Sequence, residues 1–230
     1  IQKKILSIFS KNVFLDNDNQ LETPIEEIIK LNCNALKLDF KQEDFNFFPE
    51  NYFKNSNDLT KDFIIKNNYI IFHYDEKWEL ENYSILFSKA KNLTSIKPTY
   101  KSLVKFLNNL AIKKNMKIII TTGFLKTDIV NKIKDNSQEK INSFYEVNKN
   151  INLITNQNFY SIAHLISKAS LFISCHGALT HIASNYNINI IDIIEKEKIN
   201  HYSRITKHMK EYKSIYRDNF EKMTKNIINS

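Results

Sequence analysis

Residues 163–184 read AHLISKASLFISCHGALTHIAS. A helical pattern gives way here to a strand, the strand to a glycine turn, and the turn to a second helix. Ile162, Leu165, Ile166 and Ala169 recur at i, i+3, i+4 and i+7, one apolar helix face. LFIS at 171–174 is a short continuous apolar run, as buried parallel strands have. CHG turns tightly, and ALTHIASNY from 178 opens a helix. A strand–glycine–helix junction leaves backbone N–H groups without acceptors at the helix start, with the positive end of the helix dipole behind them. Such a turn suits an anion such as phosphate. In an open parallel sheet it lies at the carboxyl edge of the strands, where ligands bind.

Working outward, four more runs have the same character: 69–73 (YIIFH), 117–121 (KIIIT), 151–154 (INLI) and 189–193 (NIIDI). Helical patterns lie between them. Tyr83, Leu86, Phe87 and Ala90 share one face, as do Leu103, Phe106, Leu107 and Leu110. This alternation implies βαβ units and an α/β fold. A Rossmann-like parallel sheet with flanking helices is expected over 67–230, with 201–228 supplying one or two helices on its edge. The first 66 residues differ. Strands at 4–9 and 35–40 and a helix over 24–31 are expected, the helix opened by Thr23, Pro24, Glu26 and Glu27. EDFNFFPENYFKNSNDLTKD (43–62) reads as a linker. Residues 1–66 thus read as the remnant of an N-terminal α/β domain plus linker, with a boundary near 66.

A chain of 230 residues buries about 70% of its unfolded surface. It is 42% apolar and 25% charged, which excludes disordered and collagen-like classes. No apolar run approaches the roughly 20 residues of a membrane span. The opening IQKKILSIFS has no initiator Met and no signal-peptide core, and reads as part of a longer chain. Two cysteines, Cys33 and Cys175, suit a reducing compartment. The net charge of +8 favours anionic partners. Lys and Arg are spread along the chain without a recognition motif, so nucleic acid is not the expected one.

Glycine is scarce. An average chain of this length holds roughly sixteen; this one holds two, Gly123 and Gly177. Each follows a β-type run, and each is expected to mark backbone geometry that other residues cannot adopt.

Candidate ligand contacts collect at the same strand ends. His176, Gly177, Ala178, Leu179, Thr180 and His181 surround the anion-binding turn. Lys77, in HYDEKWELENY just past the first strand, supplies a point charge for a diphosphate, and Trp78 packs its loop. Thr121, Thr122 and Gly123 end the second run, as sugar or phosphate contacts or as a plain turn. Asn156, Gln157 and Asn158 follow INLI, and either hold a nucleotide base or cap the next helix. Asp192 and Glu195 end the last strand, placed to accept ribose hydroxyls, with Tyr202 and Arg204 downstream. His164 reads as a core or boundary residue. His176 and His181 are poorly spaced for two metal ligands and nothing completes a cluster around Cys175, so no metal is expected. G-x-S-x-G, P-loop and G-x-G-x-x-G motifs are absent.

Together these stretches resemble the C-terminal half of GT-B glycosyltransferases, and in detail the ADP-heptose:lipopolysaccharide heptosyltransferase family. YIIFHYDEKWELENY is similar to the family's Lys-Trp element at Lys77 and Trp78. IIITTG is similar to its Thr/Gly turn, and 170–184 to its D-[ST]-G-x-x-H-[IL]-A segment, with His181 on the family's histidine. His176 stands where the family has Asp, Gly177 where it has Ser or Thr, and Ala178 where it has Gly. HGALTH is also similar to an H-G-A-G-L-T-H stretch of other sugar transferases of this plan, so donor nucleotide and sugar do not carry over. The resemblance implies a nucleotide-sugar-binding domain over 67–230. It implies sugar transfer from a nucleotide-diphospho-sugar, a donor substrate rather than a cofactor, to a glycan or lipid-linked hydroxyl acceptor. That chemistry belongs to surface glycan or lipopolysaccharide synthesis, in the cytoplasm with peripheral contact at the inner membrane face. The family's catalytic base is an acid of its N-terminal domain, to which no residue here is matched. A non-catalytic nucleotide- or glycan-binding module is the alternative.

Overall fold

All five apolar runs form strands, and the reason is burial on both faces. The computed structural model describes residues 68–79, 96–186 and 188–230. The elements expected at 4–9, 24–31, 35–40 and around 83–90, the linker, Cys33 and the boundary near 66 lie outside the described residues. In chain order the elements are β1 (Tyr69–Tyr74), a 3₁₀ turn (Glu76–Trp78), α1 (Tyr100–Lys114), β2 (Lys117–Thr122), α2 (Asp128–Asp135), β3 (Glu139–Ile141) and β4 (Phe144–Asn148). They continue with β5 (Ile151–Ile154), α3 (Phe159–Ser167), β6 (Leu171–Cys175), α4 (Ala178–Asn185), β7 (Asn189–Ile194), a 3₁₀ turn (Lys196–Lys198), α5 (Ile199–Thr206), β8 (Tyr212–Tyr216) and α6 (Phe220–Asn229).

The eight strands form one sheet in the order β3-β4-β5-β2-β1-β6-β7-β8. The centre is parallel: Ile70 pairs with Ile118 on one side and Leu171 on the other. Alternate residues feed two cores. Ile70, Phe72, Ile118, Ile120, Leu153 and Ile173 pack against Leu103, Phe106 and Leu107 of α1, with Ile133 of α2 and Ile227 of α6 in the same core. Tyr69, Ile71, Ile119 and Phe172 pack with α3 and α4 through Leu165, Ile166, Ile182 and Ala183. β1 is buried at all six positions. With both faces covered, a central strand has no polar alternation. The result is a Rossmann-like α/β fold.

The edges depart from expectation. The tail is not helical throughout: β8 pairs in parallel with β7 between α5 and α6. Only Ile215 of its five residues is buried, so it carries no apolar run. The β3–β4 hairpin, antiparallel to β5 through β4, is likewise unmarked in the sequence, because β3 is exposed at every position.

Candidate functional site

Beyond β1 the chain turns at once. The Asp75 side chain accepts the Lys77 backbone N–H at 3.1 Å, starting the 3₁₀ turn. Trp78 anchors that turn: it is fully buried against Phe72, ring centroids 4.8 Å apart, and its Nε1 donates to the His73 carbonyl at 3.0 Å. Asp75, Glu76 and Lys77 are thereby held at the carboxyl edge. Lys77 Nζ donates to the His176 carbonyl at 2.9 Å and pairs with Asp75 at 3.0 Å. It ties the β1 loop to the β6–α4 turn. Burial pulls the Lys77 pKa down, but the Asp75 carboxylate and its hydrogen bond prevail and hold it above the ordinary value. Arg217, just past β8, donates to the Lys77 carbonyl and comes within 3.8 Å of Cys175 Sγ. The Cys175 thiol is pushed well up by burial and is no nucleophile.

Neither glycine serves an unusual backbone; Gly123 is needed for space beside Asp75, and at Gly177 a side chain would displace the end of Lys77. Neither has a positive φ; among the described residues the left-handed positions belong to Asn68, Asn115, Asn142 and Asn156. Gly177 is extended, at φ −179° and ψ −172°. A Cβ there would stand 2.5 Å from Lys77 Nζ, and one on Gly123 would stand 2.7 Å from Glu76 Oε2 and 2.9 Å from the Asp75 Cβ. This corrects the expectation from the sequence. Asparagine takes the left-handed turns, and glycine is kept where the β1 loop presses on the neighbouring strand ends.

Behind the α4 turn stands a polar brace. Thr180 Oγ1 accepts the Gly177 N–H at 3.3 Å and lies 3.2 Å from Ser174 Oγ and 3.5 Å from Asp192 Oδ1. Asp192, fully buried, accepts from Tyr212 at 2.9 Å and pairs with His176 Nδ1 at 2.6 Å. Glu195 accepts the Tyr202 hydroxyl. His181 packs 5.3 Å from His176 and stacks on His208 at 5.9 Å. Burial, then the two neighbouring histidines, push its pKa down to about 4. Thr121 is buried and lies 2.9 Å from His73 Nδ1. Burial lowers the His73 pKa too.

In front of the turn is a cavity of about 330 Å³, bounded by the β1, β2 and β5 loops and the first turn of α4. Thr122, Gly123, Asn156, Gln157, Ala178 and Leu179 line it. Lys77, Thr121, His176, Gly177, Thr180, His181, Asp192 and Glu195 are not on its wall; the structure places Thr121 against His73 and the others in the loop clamp or in and beside the brace. Asn158 caps α3, accepting the Ser161 N–H at 2.8 Å. The sequence reading missed His73, Asp75, Glu76, Thr155, Phe124, Lys126 and Lys134, which line the cavity as well. The signal was present in part, since His73 and Tyr74 end β1 and Asp75 and Glu76 follow it directly. Two of the lining residues also carry a buried polar atom with no hydrogen-bond partner, Glu76 Oε2 and Thr155 Oγ1, each sealed behind the wall. Helix geometry leaves the Ala178 and Leu179 amides without intrahelical acceptors.

A second cavity, of about 390 Å³, lies at the amino edge, among Lys114, Met116, Ser170, Asn189, Lys210 and Lys213. Among the described residues no group of three His, Cys, Asp or Glu is arranged to hold a metal ion, and no helix is long and apolar enough to cross a membrane.

No family model and no curated protein matches the chain. Solved structures do match. The UDP-GlcNAc 2-epimerase of Methanocaldococcus jannaschii, in complex with UDP-GlcNAc and UDP, superposes with a TM-score of 0.50 at 14% identity, over 87% of this chain and 51% of that one. The E. coli heptosyltransferase WaaC with ADP gives 0.48 at 10% identity, over 89% and 54%. Another structure of the epimerase gives 0.44 at 14%, over 88% and 46%. At such identity the likeness is one of fold: the chain has the α/β plan of GT-B proteins. It spans about half the length of the proteins it matches.

Proposed function

We propose that this chain binds a nucleotide-diphospho-sugar at the carboxyl-edge cavity and serves a glycosyltransferase that moves the sugar to a hydroxyl acceptor. The observation that carries this reading is the cavity at the carboxyl edge, which the first residues of α4 share with the loops after β1, β2 and β5. The Ala178 and Leu179 amides and the helix dipole suit a diphosphate. Charge grows on that diphosphate as the sugar leaves, so donors already aimed at it stabilise the transition state more than the ground state. Lys77, kept cationic by Asp75, adds positive charge behind the same turn. The nucleotide-sugar is a substrate, and the scheme uses no other cofactor. The acceptor is a glycan or lipid-linked hydroxyl, met at the cytoplasmic face of a membrane, and the base that takes its proton comes from outside residues 68–230. UDP-GlcNAc in the M. jannaschii epimerase is a ligand of the same class in a protein of the same fold.

Since the chain spans about half the length of that protein, a second reading is binding without turnover; sugar transfer measured with the nucleotide-sugar that binds separates the two. The first test is a thermal-shift screen against ADP, UDP, GDP, CMP and their sugar conjugates. Ligand at 100 times its Kd stabilises by about 2.7 kcal/mol. One nucleotide raising the melting temperature supports the proposal; no shift with any of them sinks it.

A further inference from the structure

We infer that binding of an anionic ligand at the α4 N-terminus is coupled to uptake of one proton by a histidine cluster beside it, with His181 as the ring that gains the proton. This rests on the nucleotide-sugar reading and assigns the regulation of its site. Four of the chain's six histidines lie along one run of ring contacts. His208 stacks on His181 at 5.9 Å, and His181 meets His176 at 5.3 Å. His176 in turn meets Tyr202 at 4.8 Å, and Tyr202 meets His201 at 5.6 Å. The rings are unequal. His176 Nδ1 has the buried Asp192 carboxylate at 2.6 Å. His181 has no acidic partner among the described residues and lies between two other imidazoles.

Every element around the cluster brings titratable groups. α5 carries His201 and Arg204, the turn before it Lys198, β7 Asp192 and Glu195, and β8 Tyr212. The β1 turn brings Lys77, whose Nζ donates to the His176 carbonyl. α3 meets α4 through apolar side chains, Leu165 and Ile166 with Ile182 and Ala183. Of all these, His176 and His208 act on His181, and both oppose a charge there, as burial does; its pKa lies at about 4. The empty fold therefore keeps His181 neutral. Position supplies the coupling. A helical side chain leans over the turn before it. The His181 ring does so, packing on His176, the residue just ahead of the N-cap Gly177. His181 follows Leu179 by two residues, a rise of about 3 Å along the helix axis. An anion held by the Ala178 and Leu179 amides thus brings negative charge to the same ring, and a nearby opposite charge favours imidazolium. The cluster becomes cationic when the anion is present, and the empty fold is spared an unpaired, half-buried cation. A group whose pKa rises on binding takes up a proton, so affinity grows as pH falls and is lost as pH rises through the bound-state pKa.

The test is calorimetric titration of the whole chain with UDP-, ADP-, GDP- and CDP-glucose, whose diphosphate diesters do not themselves titrate near neutrality. Titrations at about pH 6.5 in buffers of different ionisation enthalpy count the protons taken up, and about half a proton or more per bound ligand is expected. Between about pH 7.5 and 5.5 the affinity of the nucleotide-sugar that binds is expected to rise about tenfold. The native count decides the coupling by itself, and two variants locate it. His181→Gln is expected to abolish both the uptake and the pH dependence. His73→Gln removes another histidine of lowered pKa, one on the cavity wall, and is expected to leave both in place. Native binding with no proton uptake and a flat pH profile overturns this inference and leaves the nucleotide-sugar reading standing. Uptake that survives in His181→Gln overturns it too, and its loss in His73→Gln would then put the proton on the cavity wall. Failure of the native chain to bind any probe overturns both.

Discussion

The two edges of the sheet each hold a cavity, and the two differ more in their polar groups than in their size. The amino-edge cavity measures about 390 Å³ against about 330 Å³ at the carboxyl edge. At the amino edge the polar groups are settled: the Asn189 amide donates to the Ser170 carbonyl at 3.3 Å, and Ser170 Oγ to Asn68 Oδ1 at 3.0 Å. None of the unpartnered buried atoms among the described residues lines it. Its nearby helix end is the C-terminus of α1, with Lys113 and Lys114 in the last turn, the usual complement to a negative helix end. The carboxyl edge has the reverse: an open helix N-terminus, a cation held by a carboxylate, and two residues each with a buried polar atom left unpaired. Volume therefore says little about a site, and polar satisfaction says much.

The strongest way to break this contrast lies within one strand. Asp192 and Asn189 sit on β7, the first buried in the brace and the second exposed at the amino end. Asp192→Ala strands Tyr212, His176 and Thr180 and is expected to cost about 3–5 kcal/mol in urea unfolding. Asn189→Ala should stay within about 0.5 kcal/mol. Equal losses would mean that the brace is not where the stability lies. Next is Gly123→Ala. It drives a methyl against Asp75 and Glu76, with an expected cost of about 1–3 kcal/mol as for other overpacking and weaker nucleotide binding in the same titrations. A neutral result would show that the β1 loop moves freely.

Lys77→Met comes third. It removes the link from Asp75 to the His176 carbonyl and should lower nucleotide affinity by about tenfold or less, by loosening the turn that carries the α4 N-terminus and removing a nearby charge. Unchanged affinity would assign Lys77 to the loop clamp alone. The fourth prediction concerns pH. His181 has a folded pKa of about 4 against an ordinary 6.5. Below pH 6.5 the unfolded chain takes up a proton that the folded chain does not, so stability falls as pH drops from about 6.5 toward 4. His181→Gln should flatten that part of the urea-midpoint profile. His73, lowered in the same direction, keeps some slope in the variant. The smallest effect belongs to the amino edge: Lys213→Ala is expected to change stability by less than about 0.5 kcal/mol and nucleotide affinity not at all. A clear affinity loss there would move the ligand to the other edge.

How much of this was legible in the sequence follows from locality. β1, β2, β5, β6 and β7 declare themselves because both their faces are buried, leaving Ile, Leu and Phe in unbroken runs. β8 and the β3–β4 hairpin do not: β8 buries one side chain and β3 none, and β4 buries only Tyr145 and Val147, so none carries an apolar run. Thr122, Gly123, Asn156, Gln157, Ala178 and Leu179 can be located from the chain alone, since whatever follows a parallel strand lies at its carboxyl end. The sorting of side chains into cavity wall and brace was hidden. Lys77 meets the carbonyl of a residue 99 positions away, and Asp192 meets Tyr212 across 20.

The two glycines mark the division most sharply. Their scarcity in the sequence picked out the two strand–loop junctions that matter, but the reason assigned to them was a backbone preference, a local property. The structure replaces that with crowding between segments distant in the chain. Strand positions, the helix faces and the carboxyl-edge clustering were determined by the sequence alone, because periodicity and chain direction are short-range. The room for Glu76 beside Gly123, and the absence of any partner for Glu76 Oε2 and Thr155 Oγ1, were decided only by the tertiary structure. Whether a buried polar atom is satisfied depends on every segment packed around it, and no local pattern records that.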